Sequence, residues 1–171
     1  MSLEPVADLA GLKGTNCQFK FIGEGAANIV FEIIFPEGQG NGDSNILSIL
    51  QGHYISTHVV CSPYIKLPLL TTSTGKLLRV PKANTKAFPH PEILQYWSSS
   101  ISPLFDNPQH DLVQQYLVRL GEKALISHLN AVLENEDGQG QRRADFQGTR
   151  VAEAEYGMLV EDMRKSEFVL T

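Results

Sequence analysis

Phe19-Lys20-Phe21-Ile22-Gly23-Glu24-Gly25-Ala26-Ala27-Asn28-Ile29-Val30-Phe31 is the stretch whose reading decides the fold. Phe19 and Phe21 alternate with polar neighbours, and Ile29, Phe31 and Ile33 do the same after the glycines, which is the two-residue period of strands with one buried face. The stretch therefore predicts a hairpin, with strands at about 17–22 and 28–35 joined by a glycine turn. Glycine lets a backbone approach a ligand with no Cβ in the way, and the amides of such a turn can face phosphate oxygens. Two glycines by themselves also suit a hairpin that binds nothing.

Outward from the hairpin, Pro36 to Asn45 reads as a polar, glycine-rich loop. Lys76 to Lys82 reads as a third strand, with Leu77, Arg79 and Pro81 on one side and Leu78 and Val80 on the other; Pro81 is expected to end its pairing. Pro89-His90-Pro91 opens an expected helix at about 91–101 whose stripe of Ile93, Tyr96, Trp97 and Ile101 reads as core. Leu112 to Leu120 reads as a strand or extended segment. Glu122 to Asn135 reads as a helix burying Leu125, Leu129, Val132 and Leu133, and Asn135 to Gly148 as a polar loop holding Arg142 and Arg143. Gly157 to Val160 is a further strand, followed at once by Glu161, Asp162 and Met163.

Composition bounds the function. With 171 residues and 42% apolar content the chain can build one domain with a core. A net charge of −5 speaks against a nucleic-acid partner, so any polyanion site must be local. Cys17 and Cys61 have neither metal nor redox spacing, and the five histidines are scattered, so no metal site is expected. The acidic N-terminus lacks the basic start and apolar run of a signal peptide, and no stretch has the length of a membrane span. No membrane partner is expected, and the location is expected to be intracellular, nucleus or cytoplasm.

Four stretches in order carry a family resemblance: Gly23-Glu24-Gly25-Ala26-Ala27-Asn28, Lys76-Leu77-Leu78-Arg79-Val80-Pro81-Lys82, Asp111-Leu112-Val113-Gln114-Gln115, and Glu155-Tyr156-Gly157-Met158-Leu159-Val160-Glu161-Asp162-Met163. Together they resemble the inositol-pentakisphosphate 2-kinases, especially the fungal members. The resemblance implies an α+β fold, the kinase-like N-terminal lobe, with an antiparallel sheet and packed helices. It implies ATP and Mg2+ as cofactors and inositol pentakisphosphate as substrate, phosphorylated on its 2-hydroxyl to inositol hexakisphosphate (phytate).

Residue by residue, the resemblance places Gly23, Glu24, Gly25, Ala26, Ala27 and Asn28 over the ATP phosphates and Arg79 as their clamp. A planar guanidinium fork suits phosphate oxygens better than a point charge does. Glu161, Asp162 and Met163 become the adenine-facing hinge, acting by backbone. Arg142 or Arg143 becomes the inositide contact, with Arg150 a third choice; Lys76 and Lys82 read as surface charges. Two features depart from the family pattern. Residues 36–75 form an irregular insert with no acidic residue from Ser44 to Pro91, either an ordered insert or a retained intron at about 52–74. Family members also continue, beyond the equivalent of Thr171, into a Lys-Pro-Lys strand and a second lobe carrying the magnesium ligands and catalytic base. Residues 1–171 are therefore expected to be an incomplete lobe, inactive alone, with a non-catalytic nucleotide-binding or interaction module as the alternative.

Overall fold

The computed structural model describes residues 7–9, 17–34, 76–121 and 123–162. The insert at 36–75 and Met163 lie outside the described residues. Strands β1 (Ala7–Asp8), β2 (Gln18–Glu24), β3 (Asn28–Ile34), β4 (Lys76–Pro81), β5 (Gln115–Arg119) and β6 (Tyr156–Glu161) form one sheet, ordered β1-β5-β6-β4-β3-β2. The five longer strands pair antiparallel, and only the short β1 runs parallel to β5. With helices α1 (His90–Tyr96), α2 (Pro108–Asp111) and α3 (Lys123–Gly138), the fold is α+β. Among the described residues no helix is long and apolar enough to cross a membrane.

The alternation of the hairpin sorts the sheet into two faces. Phe19, Ile29, Phe31, Leu78, Val80, Val118 and Leu159 point to one face and form a single cluster with Ile126, Leu129 and Leu133 of α3. Those three helical residues recur at three- and four-residue intervals, which is one stripe of an amphipathic helix. Leu117 and Met158 point the other way and are also buried, where α1 packs on β5 and β6. Over β3 and β4 this second face holds Asn28, Val30, Glu32, Arg79 and Pro81, all half-buried. It is called the open face below.

Several expectations need correction. The stripe Ile93, Tyr96, Trp97 and Ile101 is not core: Tyr96 is 62% exposed, the other three are half-buried, and His90 is the buried residue of α1. Tyr96 ends the regular part of the helix, which then passes into a π-helical segment at Trp97–Ile101 whose wider turn changes the spacing from Trp97 to Ile101. Helix α3 runs on to Gly138, so the first residues of the expected polar loop are helical. Pairing does not end at Pro81, because the Lys82 amide donates to the Ala27 carbonyl (2.9 Å) and Lys82 bridges to Val151.

Gly157 marks the tightest point of the sheet. A Cβ there would lie 2.8 Å from Leu120 Cδ2 and 3.2 Å from the Arg79 carbonyl oxygen. Gly157→Ala is expected to destabilise the lobe by about 1–3 kcal/mol, the usual cost of overpacking, as measured by urea unfolding.

Candidate functional site

A bulge decides where the glutamate of the glycine turn goes. Strict alternation from Phe19 and Phe21 would send Glu24 to the open face. The register shifts between Phe21 and Gly23, however, so that Gly23 pairs with Val30 and Glu24 with Ile29. One unpaired residue reverses every later side chain, and Glu24 thereby joins the face that carries Ile29. The turn itself closes with the Gly25 amide donating to the Asn28 carbonyl (2.9 Å).

On that inner face the Glu24 carboxylate meets two buried cations. Arg142 donates from Nε to Oε1 (2.8 Å) and from Nη2 to Oε2 (3.0 Å), a bidentate fork. Its remaining donors go to Asp137, to the carbonyls of Phe146 and Thr149, and to the Thr149 hydroxyl. Lys82 Nζ lies 2.7 Å from Glu24 Oε2 and 3.8 Å from the centre of the Phe146 ring. That contact is charge against charge, without the alignment of a hydrogen bond. Lys82 is thus no surface charge; it is 4% exposed.

The electrostatics follow from the pairing. Burial alone would raise the Glu24 carboxyl, but the hydrogen bonds from Arg142 and the charges of Arg142 and Lys82 outweigh it and hold the group below the ordinary range. Asp137 is likewise penalised by burial, then lowered past that penalty by the Gly148 amide and by Arg142 and Arg150. Arg150 also pairs with Glu134 (3.2 Å). Arg143 stands apart, 75% exposed, with a 3.4 Å contact to Asp145 and its guanidinium over the Phe146 ring.

The open face has the opposite character. Arg79 sits at mid-strand, paired in register with Val30 and Met158, and among the described residues its half-buried guanidinium has no hydrogen-bond or ion-pair partner. Burial pushes its pKa down. At the glycine-turn end, His90 places Nδ1 3.3 Å from the Tyr156 carbonyl and Nε2 3.1 Å from Asn28 Oδ1. Burial first, then the charge of Arg79, pushes His90 down to about 4, so at neutral pH the ring has one N–H. Both ring nitrogens face oxygen acceptors, the Tyr156 carbonyl and Asn28 Oδ1, and the neutral ring donates to one of them according to its tautomer.

Glu161 ends β6 at the far end of the same sheet, exposed, with its amide donating to the Gln114 carbonyl (3.3 Å); Asp162 is buried. From Tyr156 to Glu161 the strand covers about 17 Å at ~3.4 Å per residue. The turn residues 25–28 and Glu161 thus lie at opposite ends of the strands, with Arg79 between them. Adding a Cβ at Gly23 or Gly25 would meet nothing within 4 Å, and neither has a positive φ, so neither packing nor backbone strain calls for glycine there. Among the described residues no group of three or more His, Cys, Asp or Glu could hold a metal ion.

The architecture is an α+β fold whose glycine-turn hairpin, cation-bearing third strand and late apolar strand lie side by side. The family model described as inositol-pentakisphosphate 2-kinase matches residues 21–168, and the chain belongs to that family, kinases of inositol phosphates. No curated protein and no solved structure matches the chain.

Two measurements test the buried cluster. Arg142→Ala leaves Glu24 and Asp137 short of a partner and is expected to cost about 3 kcal/mol or more in urea unfolding, whereas Arg143→Ala should stay within about 0.5 kcal/mol. For His90 the folded value lies below the unfolded one of 6.5, so its contribution is present above pH 6.5 and is lost as pH falls through about 4. Over that window the unfolding free energy should fall by up to about 3 kcal/mol more in the native chain than in His90→Gln.

Proposed function

We propose that this lobe binds ATP along its open face and serves an ATP-dependent inositol-pentakisphosphate 2-kinase. That enzyme moves the γ-phosphoryl group to the 2-hydroxyl of inositol pentakisphosphate. The observation that carries the reading is the half-buried guanidinium of Arg79, which has no hydrogen-bond or ion-pair partner among the described residues, flanked by a turn at whose glycines an added Cβ would meet nothing within 4 Å. A desolvated cation without a counter-ion is costly, and a phosphate removes that cost. Gly23 to Asn28 then cover the phosphates by backbone, while the backbone at Glu161 and Asp162 faces the adenine.

The chain's own residues bind and orient. Arg79 holds phosphate charge in a fixed fork. Positioning and charge stabilisation make up most of phosphoryl-transfer catalysis. Magnesium, when bound, would supply further neutralisation of the phosphates; among the described residues no group of three or more His, Cys, Asp or Glu offers it a ligand set. Of the two arginines considered for the inositide, Arg142 has its donors engaged by Glu24, Asp137, Phe146 and Thr149, which favours the exposed Arg143. The 171 residues alone are expected to bind ATP weakly and to form no hexakisphosphate.

Calorimetry with ATP is the test. Arg79→Ala should weaken binding about tenfold or more, from the loss of a charge-assisted pair worth ~1.5–3 kcal/mol, and Arg79→Lys should recover part of it. Gly25→Ala should weaken ATP binding while leaving the unfolding midpoint unchanged. Equal ATP affinity in all of these variants would remove the open face as the nucleotide site. Anion-exchange analysis of inositol phosphates then separates the enzyme from the module: hexakisphosphate formed by this chain alone would show that the catalytic groups lie within it.

A further inference from the structure

His90 is the buried residue of α1, yet its ring does more than fill space under the helix. Its two nitrogens reach strands that are not neighbours: Asn28 opens β3, Tyr156 opens β6, and β4 lies between them in the sheet. Asn28 pairs with Pro81, and Arg79 lies two residues along β4, in the row of Val30 and Met158. The ring therefore crosses the open face just beyond Arg79, at the glycine-turn end. An apolar side chain could pack the start of α1 without the desolvation of an imidazole. What only the imidazole does is tie the residue leaving the glycine turn to the strand two places away.

We propose that His90 is a positioning residue for the nucleotide, acting through Asn28: it fixes the exit of the glycine turn over the phosphate end of the Arg79 face without touching the ligand. The proposal rests on the nucleotide reading of that face, and the readouts are chosen so that the two can fail separately. The strap holds one end of a turn whose other end is held by Glu24 on the opposite face. With both ends fixed, the amides of residues 25–28 keep one orientation before any anion arrives.

The experiment uses the full chain and compares the native protein with His90→Leu, His90→Gln, Asn28→Ala and the His90→Leu/Asn28→Ala double variant. Calorimetry with ATP is expected to show about tenfold weaker binding for His90→Leu. Asn28→Ala added to it should cost little further, and His90→Gln, which keeps a polar group at the site, should regain most of the affinity. A merely structural histidine would lower the unfolding midpoint in His90→Leu but leave ATP affinity unchanged, and that result overturns the proposal. So does full additivity of the two single changes. If the native chain binds no ATP, the nucleotide reading falls, and the strap is read by nuclear magnetic resonance instead. The Asn28 side-chain NH2 signals should move in His90→Leu and return toward their native positions in His90→Gln; unmoved signals would show that His90 does not hold Asn28.

Discussion

The Glu24 carboxylate, closed between Arg142 and Lys82, is the interaction on which the rest of the lobe depends. It is 3% exposed and brings together four parts of the chain: the arm of the glycine turn, the residue following β4, the last turn of α3 through Asp137, and the 142–149 loop. Burying such charges is expensive, and a well-packed apolar cluster of the same shape could be as stable. What the ions add is direction. A carboxylate gripped bidentately from one side and contacted by an ammonium from another has one position, and the backbone of Glu24 is fixed with it.

The same residue explains the division of charge between the two faces. Without the bulge, Glu24 would share a face with Arg79 and Asn28, where a carboxylate would compete with any anion for the guanidinium. With the bulge, the carboxylate goes to the inner cations and Arg79 keeps no partner among the described residues. His90, neutral because it is buried beside Arg79, adds no second charge there. A buried ionic cluster around Glu24 thus lies on one side of the sheet, and on the other lies the half-buried Arg79 guanidinium, with no partner among the described residues, within a few residues of the same turn.

Much of the architecture was legible because period-two alternation is a local signal. The hairpin and the third strand follow from it, the strand read at 157–160 follows from a compact apolar run, and the long helix follows from the three- and four-residue spacing of Leu125, Leu129, Val132 and Leu133. Alternation even contained the answer for Lys82, which shares the parity of the buried Leu78 and Val80. Reading it as a surface charge set residue type above position. The bulge was not legible, since nothing in Phe-Ile-Gly-Glu says which residue leaves the ladder, and Glu24 could not be assigned a face without it. Nor was the role of Arg142. Its partners Glu24 and Asp137 are respectively 118 and 5 residues away, and a polar loop gives no sign that one of two adjacent arginines turns inward. The apolar spacing at 93–101 assumed one regular helix, whereas the turn widens from Trp97 onward, and spacing alone did not show that Tyr96 faces outward. His90 offered no pattern at all, because its partners lie 62 and 66 residues away.

The central claim is that the open face, and not the helix-covered one, meets the nucleotide. Titrating the isotopically labelled chain with ATP and following backbone amide and arginine Nε signals tests it most directly. The account predicts shifts confined to residues 23–28, the Arg79 side chain and the end of β6 at Glu161, with the Arg142 Nε signal retained in its pair with Glu24. Shifts centred on Arg142 or on the exposed side of α3, with Arg79 unmoved, would contradict it.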